Sequence, residues 1–391
     1  MRWQLLVRNA SSSTAAQQLV TKEPTTPKID LTAASPRAQS LLPLLANFKA
    51  PIRFAFAYGS AVFEQVGARA DQQKMVDLVF GVTHPHHWHS INMHQHPHHY
   101  SRSMRALGAA SVATLQDAPW AGAGVHYNPY VEIDGVLVKY GVVSINRLER
   151  DLDRWESCYL AGRMHKPIQV LRHDSRISLA QWNNLAYAAR AALLLLTPSP
   201  LTSELSYEIP ARDLYTMVAG LSYRGDFRMA FKYLENPHKV RNMVAAQEPY
   251  FHHIYGPVLS GSESLFNSND AIAYDADKNV WVVGNLSPRT RAGWLLGLPP
   301  TISARIRHAH RGGAADVDVG VSGPRGQAAI DEMTEISQSP LLPVHLNAAL
   351  YQTIARPALL QSVKGIFTAG VGKSIKYAAS KIGKGITAST K

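Results

Sequence analysis

Residues 52–60 read IRFAFAYGS, and residues 75–80 read MVDLVF. In the first stretch the large side chains of Phe54, Phe56 and Tyr58 alternate with smaller ones, which is the two-residue period of a β-strand. The second stretch is apolar on both faces apart from Asp77, which is typical of a strand in the centre of a sheet. Both stretches therefore predict an N-terminal domain built on a sheet.

The order of the remaining elements predicts an α+β protein. Strands are expected over residues 124–133 and 136–144, joined by a tight hairpin at Asp134-Gly135. Helices are expected after Ser144, which can act as an N-cap, and then over about 176–196 and 211–221. We expect a linker over residues 23–45, a mixed-sheet domain over 46–170, a mainly helical domain over 171–350 with an irregular insertion at 260–340, and a basic tail over 355–391.

The turn after the first strand and the acid on the second strand indicate phosphate chemistry. A turn at Gly59-Ser60 exposes backbone N–H groups and a hydroxyl, which can cradle a triphosphate. Asp77 lies among apolar residues, where an unpaired charge is costly, so it needs a cation or a hydrogen-bond partner. The pattern resembles the polymerase-β-like nucleotidyltransferases, in which a divalent metal bridges an acid and the phosphates. A plain turn beside a structural aspartate is the alternative.

The predicted metal is Mg²⁺, with Asp77 as its ligand. The second acid that usually follows at a spacing of two residues is absent, since position 79 is valine. Mg²⁺ binds through few protein ligands, so one carboxylate with phosphate oxygens and waters is sufficient. Glu132, Asp134 and Asp226 are candidates for a second ligand, and the sequence does not choose among them.

Lys139 is a cation inside the apolar strand Leu137–Val143 and should therefore be paired. A triphosphate would make it a nucleotide-binding and catalytic residue, whereas a carboxylate such as Asp77 would make it a structural ion pair. A related choice concerns Asp226 and Arg228, which follow Gly225 in a predicted turn. This second pair either contacts substrate or fixes the turn.

Residues 84–99 contain eight histidines in sixteen positions. No cysteine accompanies them and no spacing repeats on one helix face, which argues against catalytic zinc. An irregular, solvated or substrate-binding loop is expected over residues 83–101. The side chains predicted to serve it are Asn92, His99, Tyr100 and Ser101.

The positive charge is concentrated at the C-terminus. The 391-residue chain has a net charge of +12, and no acid follows Glu335, so an anionic partner is indicated. Over residues 367–384 apolar and basic residues segregate on a helical wheel, as in helices that lie in a membrane interface. Phe367, Lys373, Lys376 and Lys381 represent its two sides. A nucleic-acid-binding arm is the alternative, but the segment has few aromatics and no arginine.

The N-terminus and the cysteine content indicate a compartment. Residues 1–22 contain arginine, serine and threonine but no acid, which is the composition of a mitochondrial transit peptide; a plain N-terminal extension is the alternative. The single cysteine, Cys158, allows no intramolecular disulfide and fits a reducing interior.

Several motifs together resemble the mitochondrial phosphatidate cytidylyltransferases, also called mitochondrial translocator assembly and maintenance proteins. The matching segments are AYGSAVF (57–63), VDLVFGV (76–82), WHSIN (88–92), HYS (99–101), GAGVHYN (122–128), VKYGVVS (138–144), YLAGRMHKP (159–167), LSYRGDFRM (221–229) and KGIFTAG (364–370). They are collinear over about 50–260 and 355–380, whereas residues 260–345 match poorly. Ala61 replaces a usual glycine, and Met217 stands where a glutamate is expected.

The resemblance implies a peripheral enzyme on the matrix side of the mitochondrial inner membrane. It would make CDP-diacylglycerol and pyrophosphate from CTP and phosphatidic acid with Mg²⁺, for cardiolipin and phospholipid synthesis. Tyr58, Gly59 and Ser60 would bind the nucleotide, and no nucleic acid is expected. The alternatives are a nucleotidyltransferase acting on RNA and a non-enzymatic, histidine-rich metal-binding membrane adaptor. The sequence does not indicate an oligomeric state.

Overall fold

The computed structural model describes residues 37–63, 74–198, 206–227, 238–262, 264–313 and 326–369. Within these ranges the protein is α+β, with a mixed five-stranded sheet, a small three-stranded sheet and many helices. The predicted transit peptide and most of the predicted basic tail lie outside the described residues.

The five-stranded sheet is formed by β1 (Phe54–Tyr58), β2 (Val76–Val82), β3 (His126–Ile133), β4 (Val136–Ser144) and β5 (Gln169–Arg172). Its order is β3-β4-β2-β1-β5, so β2 is central, as its apolar pattern predicts. β2 and β4 run parallel and the other neighbours are antiparallel. The predicted hairpin at Asp134-Gly135 is confirmed, with both residues at positive φ.

Helices and short 3₁₀ turns surround the sheet. The helices are α1 (Ala38–Leu41), α2 (Pro85–Gln95), α3 (Arg102–Asp117), α4 (Ile145–Arg154), α5 (Ala161–Met164), α6 (Ser175–Leu196), α7 (Ala211–Leu221), α8 (Lys239–Ser260), α9 (Pro288–Leu296), α10 (Pro300–His310), α11 (Gln327–Gln338) and α12 (Leu342–Ala369). The 3₁₀ turns span Leu42–Asn47, Pro97–His99, Pro119–Ala121 and Ser268–Asp270. The second sheet contains β6 (Tyr207–Pro210), β7 (Ile272–Asp275) and β8 (Val280–Val283), in the order β6-β8-β7.

Both faces of the large sheet are buried. Phe56 and Val79 belong to a large core that includes residues of α4, α6, α7 and α8. Ala55, Leu78 and Phe80 face a second core with Phe48 and Trp88. Two covered faces explain why β2 reads as nearly continuous apolar sequence, since both side-chain parities must avoid water.

Three predicted boundaries differ from the structure. Residues 38–47 are helical turns with Leu41 and Leu44 buried, so the predicted linker does not extend to residue 45. Residues 83–101 form α2 and a 3₁₀ turn and not an irregular loop. Residues 260–340 contain β7, β8 and α9 to α11, so the described part of the predicted irregular insertion is largely regular structure.

The last helix, α12, crosses the predicted start of the tail at residue 355. Gln361, Lys364 and Thr368 are buried on it, and Gln361 donates to the Val125 carbonyl at 3.0 Å while accepting from the Ala123 N–H. Residues 355–369 therefore belong to the folded core. Among the residues described, none lies in a helix both long and apolar enough to cross a bilayer.

Candidate active site

The turn after β1 and the first acid of β2 lie side by side because of strand register. Tyr58 pairs with Asp77 across β1 and β2, which places Gly59 next to the carboxylate. Gly59 has φ +86°, and its carbonyl accepts from the N–H groups of Val62 and Phe63 at 3.0 Å each. A Cβ at Gly59 would lie 3.5 Å from Asp77 Oδ2. Glycine thus provides the backbone angle and keeps the space above Asp77 open.

Asp77 and Lys139 form an ion pair between the two parallel strands. They are direct neighbours in the β2–β4 register, with 3.3 Å between Lys139 Nζ and Asp77 Oδ1. Both side chains are partly exposed, so the pair remains within reach of a ligand. Lys139 Nζ also lies 4.5 Å from the centre of the Tyr127 ring. The ion pair with Asp77 is thus present, and it is one of the two partners considered for Lys139.

Gly141 shapes the floor beneath this pair. It faces Tyr127 on β3, and a Cβ there would lie 2.6 Å from Tyr127 Cε1. The missing side chain lets the tyrosine ring lie across the strand, where its face meets the ammonium of Lys139. Such a cation–π contact attracts the ammonium without neutralising its charge.

Arg163 adds a second positive group beside Tyr58. Its Nε donates to the Tyr58 hydroxyl at 3.3 Å and its Nη1 to the Tyr159 carbonyl at 2.6 Å. The guanidinium lies 3.8 Å from the centre of the Tyr159 ring. Burial, followed by the charge of Asp77, raises the pKa of Tyr58, so this hydroxyl stays protonated.

A buried carboxylate builds the loop that carries Arg163. Asp151, at the end of α4, accepts hydrogen bonds from the N–H groups of Ser157, Leu160 and Ala161 and from the Ser157 hydroxyl, at 2.8 to 3.0 Å. These bonds satisfy the first amides of α5, which otherwise lack acceptors. α4 itself begins as predicted, with Ser144 Oγ accepting from the Arg147 N–H at 3.2 Å.

Lys166 extends the positive side of the site toward the turn after α7. Its Nζ donates to the Gly162 carbonyl and to Ser222 Oγ, the latter at 3.0 Å, and lies 5.0 Å from the centre of the Tyr223 ring. Burial lowers the pKa of Lys166 to about 8. Lys239 reaches the same ring, with its Nζ 5.5 Å from the centre. No Cβ would fit at Gly162 against Ser222, so this glycine permits the close approach.

The chemistry of Asp77 fits a Mg²⁺ ion held by a single protein carboxylate. The oxygen nearest Gly59 faces the turn that would carry phosphate, and carboxylate and phosphate oxygens are the ligands Mg²⁺ uses. Asp134 instead accepts from Asn47 Nδ2 at 2.7 Å, and Glu132 is exposed on the edge strand β3. Asp226 lies in the Tyr223 turn, where its N–H donates to the Tyr223 carbonyl at 3.2 Å.

The predicted substrate loop is largely buried, contrary to expectation. Asn92, His99 and Tyr100 are at most 3% exposed. Asn92 Nδ2 donates to the hydroxyls of Tyr100 and Tyr140 at 3.0 and 2.9 Å, and His99 Nδ1 lies 2.8 Å from the Tyr140 hydroxyl. Ser101 caps α3 by accepting from the Met104 N–H. These side chains hold α2 against β4, because polar groups placed inside a core need such partners.

Of the remaining predicted site residues, one is exposed and the others lie outside the described residues. Phe367 is 71% exposed near the end of α12, whereas Arg228, Lys373, Lys376 and Lys381 lie outside the described residues. Met217 stands at the position where a glutamate is expected, and its Sδ lies 2.9 Å from Arg224 Nη2.

Sequence reasoning missed the cations around the predicted pair. Arg163 and Lys166 fall inside the YLAGRMHKP segment, which marked the resemblance without assigning a role to either residue. Lys74 carries no motif in the sequence, although its Nζ donates to the Ser60 carbonyl at 3.4 Å. The available signal was the pair Arg163 and Lys166, two basic residues three positions apart in the segment between two apolar strands.

Comparison with known proteins identifies the family. A family model described as mitochondrial phosphatidate cytidylyltransferase matches residues 41–384, including the 260–345 segment that the motifs left out. A mitochondrial phosphatidate cytidylyltransferase of Xenopus laevis is 36% identical over 87% of this chain and 93% of its own length. Those of Mus musculus and Schizosaccharomyces pombe are each 33% identical, over 87% and 89% of this chain and 93% and 84% of their own lengths. The chain therefore belongs to the mitochondrial phosphatidate cytidylyltransferase family of nucleotidyltransferases.

Proposed function

We propose that the chain transfers the cytidylyl group of CTP to phosphatidic acid at the site around Asp77 and Lys139. The observation that carries this proposal is the carboxylate of Asp77, placed between the Gly59 turn and the Lys139 ammonium. A phosphate oxygen of phosphatidic acid forms a bond to the α-phosphorus of CTP. The bond from that phosphorus to the β-phosphate oxygen breaks, giving CDP-diacylglycerol and pyrophosphate.

The residues around the pair contribute position and charge. The Gly59 carbonyl closes its turn by accepting from Val62 and Phe63. The N–H groups of Ser60 and Ala61, at the start of this turn, therefore have no acceptor within it. This is the arrangement in which backbone N–H groups bind phosphate. Lys139, Arg163 and Lys166 supply positive charge along one side, which stabilises the charge that develops on the phosphates. Tyr58 orients Arg163 through its hydroxyl.

Asp77 is the residue that would hold Mg²⁺. When bound, the ion neutralises phosphate charge and polarises the phosphoryl group. The arrangement supports assignment of residues 46–170 to a polymerase-β-like nucleotidyltransferase domain, since a strand, a Gly-Ser turn and an acid on the neighbouring central strand coincide in a mixed sheet.

We further place the enzyme peripherally on the matrix side of the mitochondrial inner membrane. α12 exposes a row of apolar side chains along one side: Val344, Tyr351, Leu359, Val363, Ile366 and Phe367. Such a face is typical of a helix that lies in a membrane interface. The lysines that follow in the sequence would add attraction to an anionic bilayer.

Incubation of the full chain with labelled CTP and Mg²⁺ tests the function. Phosphatidate vesicles should yield labelled CDP-diacylglycerol and pyrophosphate, and RNA should yield no labelled polymer. Incorporation into RNA alone would favour the RNA-directed alternative. Zinc binding without turnover of either substrate would favour the adaptor.

A further inference from the structure

Three histidines that the nucleotide site does not use converge beneath the far face of the sheet. His96, His98 and His99 lie in and next to the 3₁₀ turn Pro97–His99 that follows α2. Each offers one ligand nitrogen, and the three nitrogens lie within 4.8 Å of one another. The rings of His96 and His99 are stacked with centres 4.5 Å apart, and that of His98 lies 4.6 Å from His99.

The three nitrogens are close enough to meet on one zinc ion once the stacked rings of His96 and His99 turn toward it. With Zn–N bonds of about 2.0–2.1 Å, two ligand nitrogens in a tetrahedral site lie about 3.4 Å apart. Because the nitrogens lie within 4.8 Å of one another, each pair must approach by about 1.4 Å or less to reach this separation. His98 is exposed at the surface, so the site has an entry path and room for a water as fourth ligand.

The outer partners of two rings match those of metal-bound histidines. His96 Nε2 lies 2.9 Å from the Asn47 carbonyl. A carbonyl can only accept, so Nε2 carries the proton and the neutral ring presents its lone pair on Nδ1. His99 Nδ1 lies 2.8 Å from the Tyr140 hydroxyl, and in the tautomer that donates to that oxygen Nε2 is the ligand nitrogen. Such bonds to carbonyl and hydroxyl oxygens fix the tautomer of ligating histidines.

We propose that His96, His98 and His99 form a zinc-binding site separate from the nucleotide site. The ion would connect three parts of the chain: the Leu42–Asn47 turn through Asn47, the end of α2, and β4 through Tyr140. The site differs from the catalytic zinc considered for the whole histidine-rich segment, because only three of its eight histidines take part.

Calorimetric titration of metal-stripped full-length protein with ZnCl₂ tests the site, with thermal unfolding as a second readout. The wild type should bind one zinc ion more tightly than any other and should unfold at a higher temperature with zinc. His98→Ala should weaken this binding at least about tenfold, and its exposed position spares the fold. His96→Gln should do the same, since glutamine keeps a donor for Asn47 without a ring nitrogen.

His87→Ala is the matched control. His87 is exposed near the start of α2 and outside the cluster, so its removal should leave zinc affinity and the zinc-dependent rise in unfolding temperature unchanged. Equal affinity in wild type, His98→Ala and His96→Gln would overturn the proposal. So would an equal loss in His87→Ala, because binding would then belong to the histidine-rich segment at large.

Discussion

The Asp77 side chain illustrates how one residue acquires its role from register. Its neighbours in the sheet are Tyr58 on one strand and Lys139 on the other, so the carboxylate meets the turn and the ammonium together. Asp77→Asn keeps the shape of the side chain and removes its charge. We expect cytidylyl transfer to fall by at least about 10²-fold, because electrostatic stabilisation of the phosphates is lost.

The measurement is steady-state kinetics with CTP and phosphatidate vesicles, beside thermal unfolding. Asp77 is partly exposed, so the unfolding temperature should change little. A folded variant with normal turnover would remove Asp77 from the metal site.

Lys139→Met separates the two roles left open for Lys139. Methionine suits the strand and fills the space of the aliphatic stem, but it cannot neutralise phosphate. We expect a higher KM for CTP and a lower kcat, with the free energy of unfolding within about 1 kcal/mol of wild type, as for a partly exposed ion pair. Kinetics and denaturant unfolding measure these effects. Unchanged kinetics with altered stability would show that Lys139 is a structural partner of Asp77.

We expect Lys166 to give the proposed nucleotide site a pH dependence. Its pKa of about 8 lies below the usual value for lysine because the side chain is buried. In the free enzyme the ammonium therefore loses its proton as the pH rises through about 8. CTP affinity should fall between pH 7 and pH 9, by at most about tenfold per pH unit. Calorimetry at the two pH values checks this.

Lys166→Arg is the matched variant, because a guanidinium keeps its charge throughout this range. Its CTP affinity should vary less with pH than that of the wild type. The same pH dependence in both proteins would assign the titration to another group.

At the scale of elements, the sequence predicts the helices and strands whose apolar residues recur with a regular period. It misses the elements that carry polar residues at buried positions. β1, β2, the hairpin and α6 follow apolar patterns closely. α2 does not, because His89 and Asn92 occupy buried positions where apolar residues would mark a helix. Their acceptability depends on partners distant in sequence, such as Gln116 and Tyr140. No local pattern reveals such a network, so the sequence predicts a solvated loop where the structure has a buried helix.

The same limit applies to the candidate site. Asp77 and Gly59 were predictable because they interrupt strands in a recognisable way. Arg163 and Lys166 were not, because their position depends on a loop shaped by Asp151 and on the approach of Gly162 to Ser222. Tertiary contacts of this kind have no signature in local spacing.

Asp151→Ala should therefore damage the element that carries the cations. It leaves the four donors of the Ser157–Ala161 segment without their acceptor inside the protein. The expected loss in the free energy of unfolding is about 3 kcal/mol, since unsatisfied buried groups cost about 1–3 kcal/mol each and some will find water. Denaturant unfolding measures it. A loss below about 1 kcal/mol would show that the loop is held by its apolar packing alone.

At the scale of the whole molecule, the packing of α12 limits which deletion can remove the proposed membrane-binding segment without disturbing the fold. A Cβ at Gly122 would lie 2.7 Å from the Gln361 backbone nitrogen, and one at Gly225 would lie 2.7 Å from that of Ala355. The helix is thus packed tightly against the loop that precedes β3 and against the Asp226 turn. Deletion of residues 370–391 should spare CTP binding and reduce binding to anionic vesicles, with the remaining binding less sensitive to salt.

Co-sedimentation with phosphatidate-containing vesicles and calorimetry with CTP measure the two effects. Deletion of residues 357–391 is the contrasting variant and should also lower the unfolding temperature, because Gln361 and Lys364 leave the core. Equal vesicle binding with and without residues 370–391 would contradict a membrane role for them.

For an enzyme that rests on a bilayer through α12, as we propose, the exposed row also constrains the orientation of the molecule. Ala355, beside Gly225, and Phe367 are separated by about 18 Å along a helix with a rise of 1.5 Å per residue. A helix standing upright on Phe367 would hold the Gly225 turn that far above the lipid headgroups, beyond the reach of a phosphate whose acyl chains stay in the membrane. A helix lying flat, with Val344 and Ile366 both in contact, keeps the two at one level. The lipid would then enter the site sideways, sliding along the membrane plane without leaving it.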